Sequence, residues 1–578
     1  MCLGCPANLA ALFGRALFSS NVKNKLSVHA SFTFQTLSSL MAESSYDYLV
    51  LRGGLSGCVV ASRLKQALPH LSIALVENGS DSRNDESVLG PAQAWLLDPA
   101  KYHYVDQTVP QKPLNGRSLE LKTGRALGGG SATNYGGWTR GDRQGYDEWA
   151  RVVGDDRWSY EGLLPFFKKS ESFPVPGMSE HGYEGPIRPS LVGRQYPLKK
   201  PMLDAITGAG VKQREDITDG DVLGVGPLME SWRNNQRVHA ANSYDLTGVE
   251  ILTNTKVAKV FLDGKKAIGA VLRSGERLLA SKEVILACGA LRTPQILMLS
   301  GIGPKAELEQ LGIPPIAESP NVGKNLHDHP MFTLWYTLRN PDDGLAVGHP
   351  KFMANPGFLE GNPMDWLVNG NAAAFDKEKA AKIDGVASER TDDFELTPFY
   401  LGAPTSPHAP PPMDGETITC AAVVMSATSR GEVTLQSKDL DDAPLVDPNY
   451  LSTAHDLAVM RAGVRLAMKI MEITDAGQKI SVGQRPSVGM KPIPLDASDE
   501  EIDERAKAGI VTCFHYAGTA SMGKVVDAEC RVKGIEGLRV IDASIMPVAL
   551  CAHLQAPMYG VAERAAEMIV EKAKEEQS

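Results

Sequence analysis

The residue types in this sequence that could do chemistry fall in four places. Near the start, YDYLVLRGGLSGCVVASRLK (Tyr46–Lys65) joins an apolar run to Gly53, Gly54 and Gly57 and then to an amphipathic stretch. Strand, glycine turn and helix in that order leave backbone N–H groups free at a helix N-terminus, where a dinucleotide pyrophosphate binds. Glu77 closes the next apolar run, LSIALVENG, 25 positions beyond Arg52, where an acid holds a ribose hydroxyl. At 121–138, LKTGRALGGGSATNYGGW is rich in glycine, which either brings backbone N–H groups close to a ligand or makes a flexible surface loop. His327 and His329 form an H-x-H pair in NVGKNLHDHP, but a metal needs a third or fourth ligand that the sequence does not supply, so no metal is expected. His515 and His553 sit in the apolar runs TCFHYA and LCAHLQAP. An imidazole, with a pKa of about 6.5, suits proton transfer at neutral pH, whereas a lone histidine in such a run is also an ordinary hydrogen-bonded core residue.

The elements that must position these residues can be read from periodicity and breakers. The first strand, turn and helix lead to the strand ending at Glu77 and complete a βαβ start. DDRWSYEGLLPFFKKSESF reads as an amphipathic helix, VAKVFLDGKKAIGAVL as a hairpin turning at Asp263-Gly264, and EVILACGA as a strand. Residues 330–420 are rich in proline and glycine with little periodicity and read as irregular, GAPTSPHAPPPMDG as loop. AAVVMSA and GEVTLQS restore strand patterning, HDLAVMRAGVRLAMKIMEI is a helix, and ERAAEMIVEKAKEE closes the chain as another.

Bulk properties narrow the function classes. At 578 residues the chain exceeds one compact core, so two interleaved or consecutive domains are expected. A formal charge of −10, with Lys and Arg scattered, argues against a nucleic-acid or anionic-membrane partner. The 8 cysteines form no disulfide framework, and those in apolar runs read as buried reduced thiols of an intracellular, cytoplasmic protein. No apolar stretch approaches the ~18–20 residues that span a bilayer. Residues 1–42 lack Asp and Glu and resemble an organelle transit segment; an over-extended start before Met41-Ala42-Glu43 explains the same composition.

Four separated motifs together resemble the glucose–methanol–choline (GMC) family of flavin oxidoreductases, from about Tyr46 to Glu571: the imperfect dinucleotide loop with Glu77; GRALGGGSATN (124–134); GALRTPQILMLSGIG (289–303) followed by NVGKNLHDHP (321–330); and FHYAGTASMG…GLRVIDASIMP…H, from Phe514 to His553. The resemblance implies an α/β fold in which a Rossmann-like FAD-binding domain (44–145, 225–330 and 505–575) is interleaved with an α+β, β-sheet substrate domain (146–224 and 331–504), residues 1–43 standing outside both. It implies FAD as cofactor, a small-molecule alcohol as substrate and oxygen or another electron acceptor; the sequence's lack of acidic clusters for a cation leans toward an intracellular small-molecule alcohol of secondary metabolism. It assigns His515 as the base and His553 as the group that orients the alcohol oxygen and shares its proton. Gly53, Gly54 and Gly57 fall at the pyrophosphate loop and Glu77 at the adenosine ribose, with Gly129, Ser131 and Asn134 along the flavin. Val257 falls near the adenine, Asp542 and Ala543 at the pyrophosphate and ring system, and Pro557 at the pyrimidine edge.

One residue departs from the pattern. The first glycine of the GxGxxG fingerprint falls at position 52, which is Arg52. A side chain there pushes on the turn or the pyrophosphate, and a non-glycine residue in a sparsely allowed backbone region costs on the order of 1–3 kcal/mol. A guanidinium swung outward could recover part of that by pairing with a phosphate. Four readings stand: a flavin enzyme that tolerates Arg52; a fold with a decayed flavin site doing non-redox cyclase or dehydratase work, as fungal versicolorin B synthase does on a similar sequence; a single-nucleotide variant of an ordinary enzyme; and, least favoured because nothing would then require two paired histidines, a non-enzymatic binding protein.

Overall fold

The computed structural model describes residues 44–90, 96–375, 392–403, 412–487 and 490–577. The transit-like stretch 1–42 lies outside these, as does much of the proline-rich loop 402–415. The chain from Ser45 onward forms one compact unit built around two sheets.

The first sheet starts from the strand Ser44–Leu51, whose Leu49, Val50 and Leu51 have no exposure. Ile73–Val76 pairs with it in parallel, and Glu250–Leu252 extends that edge in parallel. On the other side lie Arg277–Leu286, Lys266–Leu272 and Val257–Asp263, an antiparallel meander whose first strand also pairs in parallel with Leu538–Val540. The hairpin turns at Asp263-Gly264, with Gly264 at φ +56°, as the sequence predicts. The helix Leu55–Ala67 covers this sheet together with the 21-residue helix Gln555–Glu575. Arg63 Nε donates to both Glu563 carboxylate oxygens at 2.9 Å and ties those helices together across 500 residues of sequence. The long C-terminal helix carries Pro557 in its first turn, where a missing N–H costs nothing.

The second sheet is antiparallel, in the order Ser481–Gln484, Pro330–Leu338, Thr417–Val424, Phe394–Phe399, Trp366–Gly370, Gly224–Pro227, with Val511–Thr512 added at Pro330 and Met331. Three of these strands, Pro330–Leu338, Trp366–Gly370 and Phe394–Phe399, lie in 330–420, the region whose sequence reads as irregular, and Thr417–Val424 runs from it into the strand read at AAVVMSA. The correction has a physical cause: the sheet is buried on both faces, so the strands show unbroken apolar or small-residue runs rather than alternation. The two faces still differ. Phe394, Leu396, Ile418, Cys420 and Ala422 face the helix Ala454–Met468, where a Cβ on Gly463 would sit 3.1 Å from that of Ala422. The intervening residues, Glu395 and Thr397 among them, face the other way, toward the histidines.

Candidate active site

The dinucleotide loop keeps its shape despite Arg52. Arg52 adopts φ +90°, the region glycine favours, while its N–H donates to Val76 O at 2.8 Å, as the sheet-to-loop turn requires. The loop closes so tightly that a Cβ on Gly57 would lie 2.1 Å from Arg52 O. Gly54 caps the helix Leu55–Ala67 with no side chain over its first turn, which leaves the N-terminal N–H groups and the positive end of the helix dipole facing outward. The second glycine loop meets the first here: Gly129 sits at φ +53°, and a Cβ on it would come within 2.7 Å of Gly54 Cα.

The Arg52 side chain runs toward Tyr104 and Glu77. Its guanidinium stands 4.6 Å from the Tyr104 ring centre and 3.8 Å from Glu77 Oε1. Burial works against the Glu77 carboxylate and pushes its pKa up, against Arg52 and the N–H groups of Gly53 (3.0 Å) and Gly79 (2.7 Å) that hold it. Arg52, Tyr104, Val257, Cys288 and Arg292 line a cavity of about 190 Å³. Arg292 is 8 % exposed and pairs with both Asp106 oxygens, and its Nη1 has no partner among the described residues. An uncapped helix N-terminus, two interlocked glycine loops, a buried acid and an unpaired buried donor beside a cavity of mixed polar and apolar lining fit an FAD pyrophosphate and adenosine.

The remaining expected cofactor residues lie around the same groove. Ser131 Oγ donates to Gly128 O (2.6 Å) and accepts from Ala240 N (3.1 Å). Asn134 Nδ2 donates to Gln555 Oε1 at 3.1 Å, and its Oδ1 accepts from Arg237 Nη1 at 2.8 Å. The Asp542 carboxylate accepts from Gly289 N (2.9 Å), Thr293 Oγ1 (2.6 Å) and Ser544 N (2.8 Å), so it ties the 289–293 turn to its own segment. Ala543 O accepts from Gly518 N, and Pro557 is buried in the C-terminal helix.

The two histidines meet. Their ring centres stand 4.9 Å apart at 78°. His515 follows the short strand Val511–Thr512, and the preceding Phe514 is held at φ +63°, a left-handed conformation of the kind that clusters at functional sites. Asp328 fixes this corner by accepting the backbone N–H of both His329 and His515 at 2.8 Å and the Thr512 hydroxyl at 2.5 Å. His515 Nδ1 lies 2.9 Å from His329 Nδ1. Burial, with His553 and His329 beside it, holds the His515 pKa well below the usual imidazole value, and burial takes that of His329 down to about 3. His553 is opposite in sign. Burial alone would lower its pKa, but Glu395, with its oxygens 3.0 and 3.1 Å from His553 Nε2, raises it. The His553 N–H donates to Thr139 Oγ1 at 2.7 Å, and Thr397 Oγ1 donates to the Glu395 carboxylate at 3.0 Å. The site therefore holds one imidazole kept neutral and one that favours its proton, an arrangement that separates a base from a hydrogen-bond donor.

Sequence reasoning paired His515 with His553 but missed their supports. His329 touches His515 directly, while its neighbour His327 is buried against Gly518 with Nδ1 3.0 Å from Asn325 O. Glu395 was concealed in the stretch read as irregular; its signal is a lone carboxylate in the apolar strand Phe394–Phe399. Cys513 also joins the group: one donor atom each from Cys513, His515 and His553 lies within 4.8 Å of the others.

Fold and site together define a flavin-dependent oxidoreductase. Models of the GMC oxidoreductase family match residues 46–331 and 427–562. The chain is 38 % identical over 537 residues to the GMC-type oxidoreductase acuG of Aspergillus aculeatus, covering 91 % of this chain and 99 % of the relative. It is 31 % identical over 551 residues to an oxygen-dependent choline dehydrogenase of Burkholderia lata, covering 92 % and 94 %. Among solved structures, formate oxidase of Aspergillus oryzae, in a variant studied for FAD modification, superposes with a TM-score of 0.84 at 27 % identity, covering 92 % of this chain and 99 % of that one. The chain belongs to the GMC oxidoreductase family, with FAD as its cofactor. No helix of the described residues is long and apolar enough to cross a membrane.

Proposed function

We propose that this enzyme oxidises an alcohol carbon of a small organic molecule, with His515 as the base and His553 as the group that orients the alcohol oxygen. The observation that carries the assignment is the contrast between the two facing imidazoles, one next to two other histidines and one held by a carboxylate. His515, kept neutral by burial, takes the hydroxyl proton on its open nitrogen while Nδ1 stays on His329. His553, biased toward its protonated form by Glu395, donates to the alcohol oxygen and holds it within reach of His515. Bound FAD supplies the acceptor for the hydride that leaves the same carbon. The second sheet lines this pocket through Glu395, which holds His553.

The test is anaerobic mixing of the flavin-loaded protein with aryl, aliphatic, cationic and pyridoxine-type alcohols. At least one class bleaches the flavin's visible band and yields the matching aldehyde. A protein that holds flavin and is bleached by none of them, but rearranges or dehydrates an alcohol without a change in flavin colour, would overturn the redox reading.

A further inference from the structure

Cys513 has no part in the proton transfer above, yet it stands in the same cluster. One donor atom from each of Cys513, His515 and His553 lies within 4.8 Å of the other two. A thiolate and two imidazoles are the ligand set of borderline-soft cations, zinc foremost, and three protein ligands with a fourth position open to solvent or substrate is a common zinc geometry. Tetrahedral donors at bond lengths of about 2.0–2.3 Å stand roughly 3.3–3.8 Å apart, so the cluster closes onto a cation by about 1 Å of side-chain movement.

The surroundings are those of a supported metal site. Glu395 holds His553 through Nε2, and His329 holds His515 through Nδ1, so each ring is oriented by one partner. A carboxylate or second partner behind a ligating histidine is the usual outer shell of zinc. Charge also balances: a divalent cation, the Cys513 thiolate and the Glu395 carboxylate sum to zero where both imidazoles are neutral. Cys513 is half-buried and, with Met331, packs against Val423, Met425 and Cys551.

We propose that Cys513, His515 and His553 form a binding site for Zn²⁺ or a similar soft divalent cation. Binding forms one Zn–S and two Zn–N bonds and releases the Cys513 thiol proton to solvent, with no change of oxidation state. Its consequence, inhibition competitive with the alcohol, rests on the reading of His515 as the base, because the cation takes that lone pair.

Cobalt(II) added to the flavin-loaded protein in the absence of substrate reads the site directly, since thiolate-bound tetrahedral Co²⁺ absorbs at wavelengths longer than the oxidised flavin bands. The expected result is a one-to-one cobalt spectrum that added zinc abolishes. Losing a partner behind a ligand costs roughly 10–100-fold in metal affinity, and losing a ligand costs no less, so Cys513→Ser and His553→Gln, each checked for retained flavin, weaken zinc binding by at least that factor. No stoichiometric binding, or zinc affinity unmoved by both substitutions, overturns the proposal. Because no alcohol is present, that outcome is independent of the redox reading.

Discussion

Both carboxylate oxygens of Glu395 lie against one atom of His553, Oε1 at 3.0 Å and Oε2 at 3.1 Å from Nε2, so a side chain of the second sheet sets the ring on the far side of the site. Glu395→Gln keeps the size but removes the charge. A hydrogen bond to a charged group contributes about 1.5–3 kcal/mol, which corresponds to a roughly 10- to 150-fold fall in the rate of flavin reduction. Flavin content is expected to be unchanged, because Glu395 does not reach the glycine loops. An unchanged rate in single-turnover kinetics would remove Glu395 from the mechanism.

Arg52 holds two separable effects. Its φ of +90° costs on the order of 1–3 kcal/mol, which Arg52→Gly relieves, while the same substitution takes away the guanidinium that opposes burial of the Glu77 carboxylate. The guanidinium also pairs with Glu77 and lines the cavity beside Tyr104 and Val257. Clearing it tightens FAD by about tenfold for each 1.4 kcal/mol recovered. Titration of the stripped protein with FAD measures this, and an equal Kd for the two proteins would show that the side chain does not hinder the cofactor.

Much of the first sheet was legible because its elements carry local signals: a βαβ start, Asp263-Gly264 at a hairpin, an apolar strand ending in Glu77. In the second sheet Thr417–Val424 was caught through AAVVMSA, but strands such as Trp366–Gly370 are buried on both sides and lose the alternation that marks a strand. The histidine pair was legible from sequence pattern, yet Glu395 and His329, which lie 158 and 186 residues from the rings they hold, are joined to them only by the fold. The conformation of Arg52 was legible in kind, since a glycine position forces it, but the direction of its side chain depends on Tyr104 and Glu77.

Asp328 is the anchor of the His515 corner. Asp328→Asn replaces an acceptor of two backbone N–H groups and two hydroxyls by a group with one acceptor oxygen. Each buried donor left unpaired costs about 1–3 kcal/mol. Thermal unfolding is expected to fall accordingly, together with the rate of flavin reduction; a variant that melts like the parent would show the corner is held by other contacts.

A pH signature of stability comes from a different place. His181 is fully buried, with Nδ1 2.8 Å from Glu171 and Nε2 2.9 Å from Asp216, and is stacked on Phe173. Burial opposes its charge, but the two carboxylates win and raise its pKa. A folded pKa above the unfolded value of about 6.5 gives stability that is complete below that pH and is lost as pH rises through the folded value. The melting-temperature gap between the parent and His181→Gln is therefore widest in mild acid and narrows toward alkaline pH. A gap that widens with pH contradicts this pairing.

The central claim is that His515 removes the hydroxyl proton. Stopped-flow measurement of flavin reduction by the best alcohol, under anaerobic conditions, tests it in one step. His515→Ala, loaded with FAD to the same level as the parent, is predicted to be slower by roughly 10²–10⁴-fold. A reduction rate within twofold of the parent would contradict it.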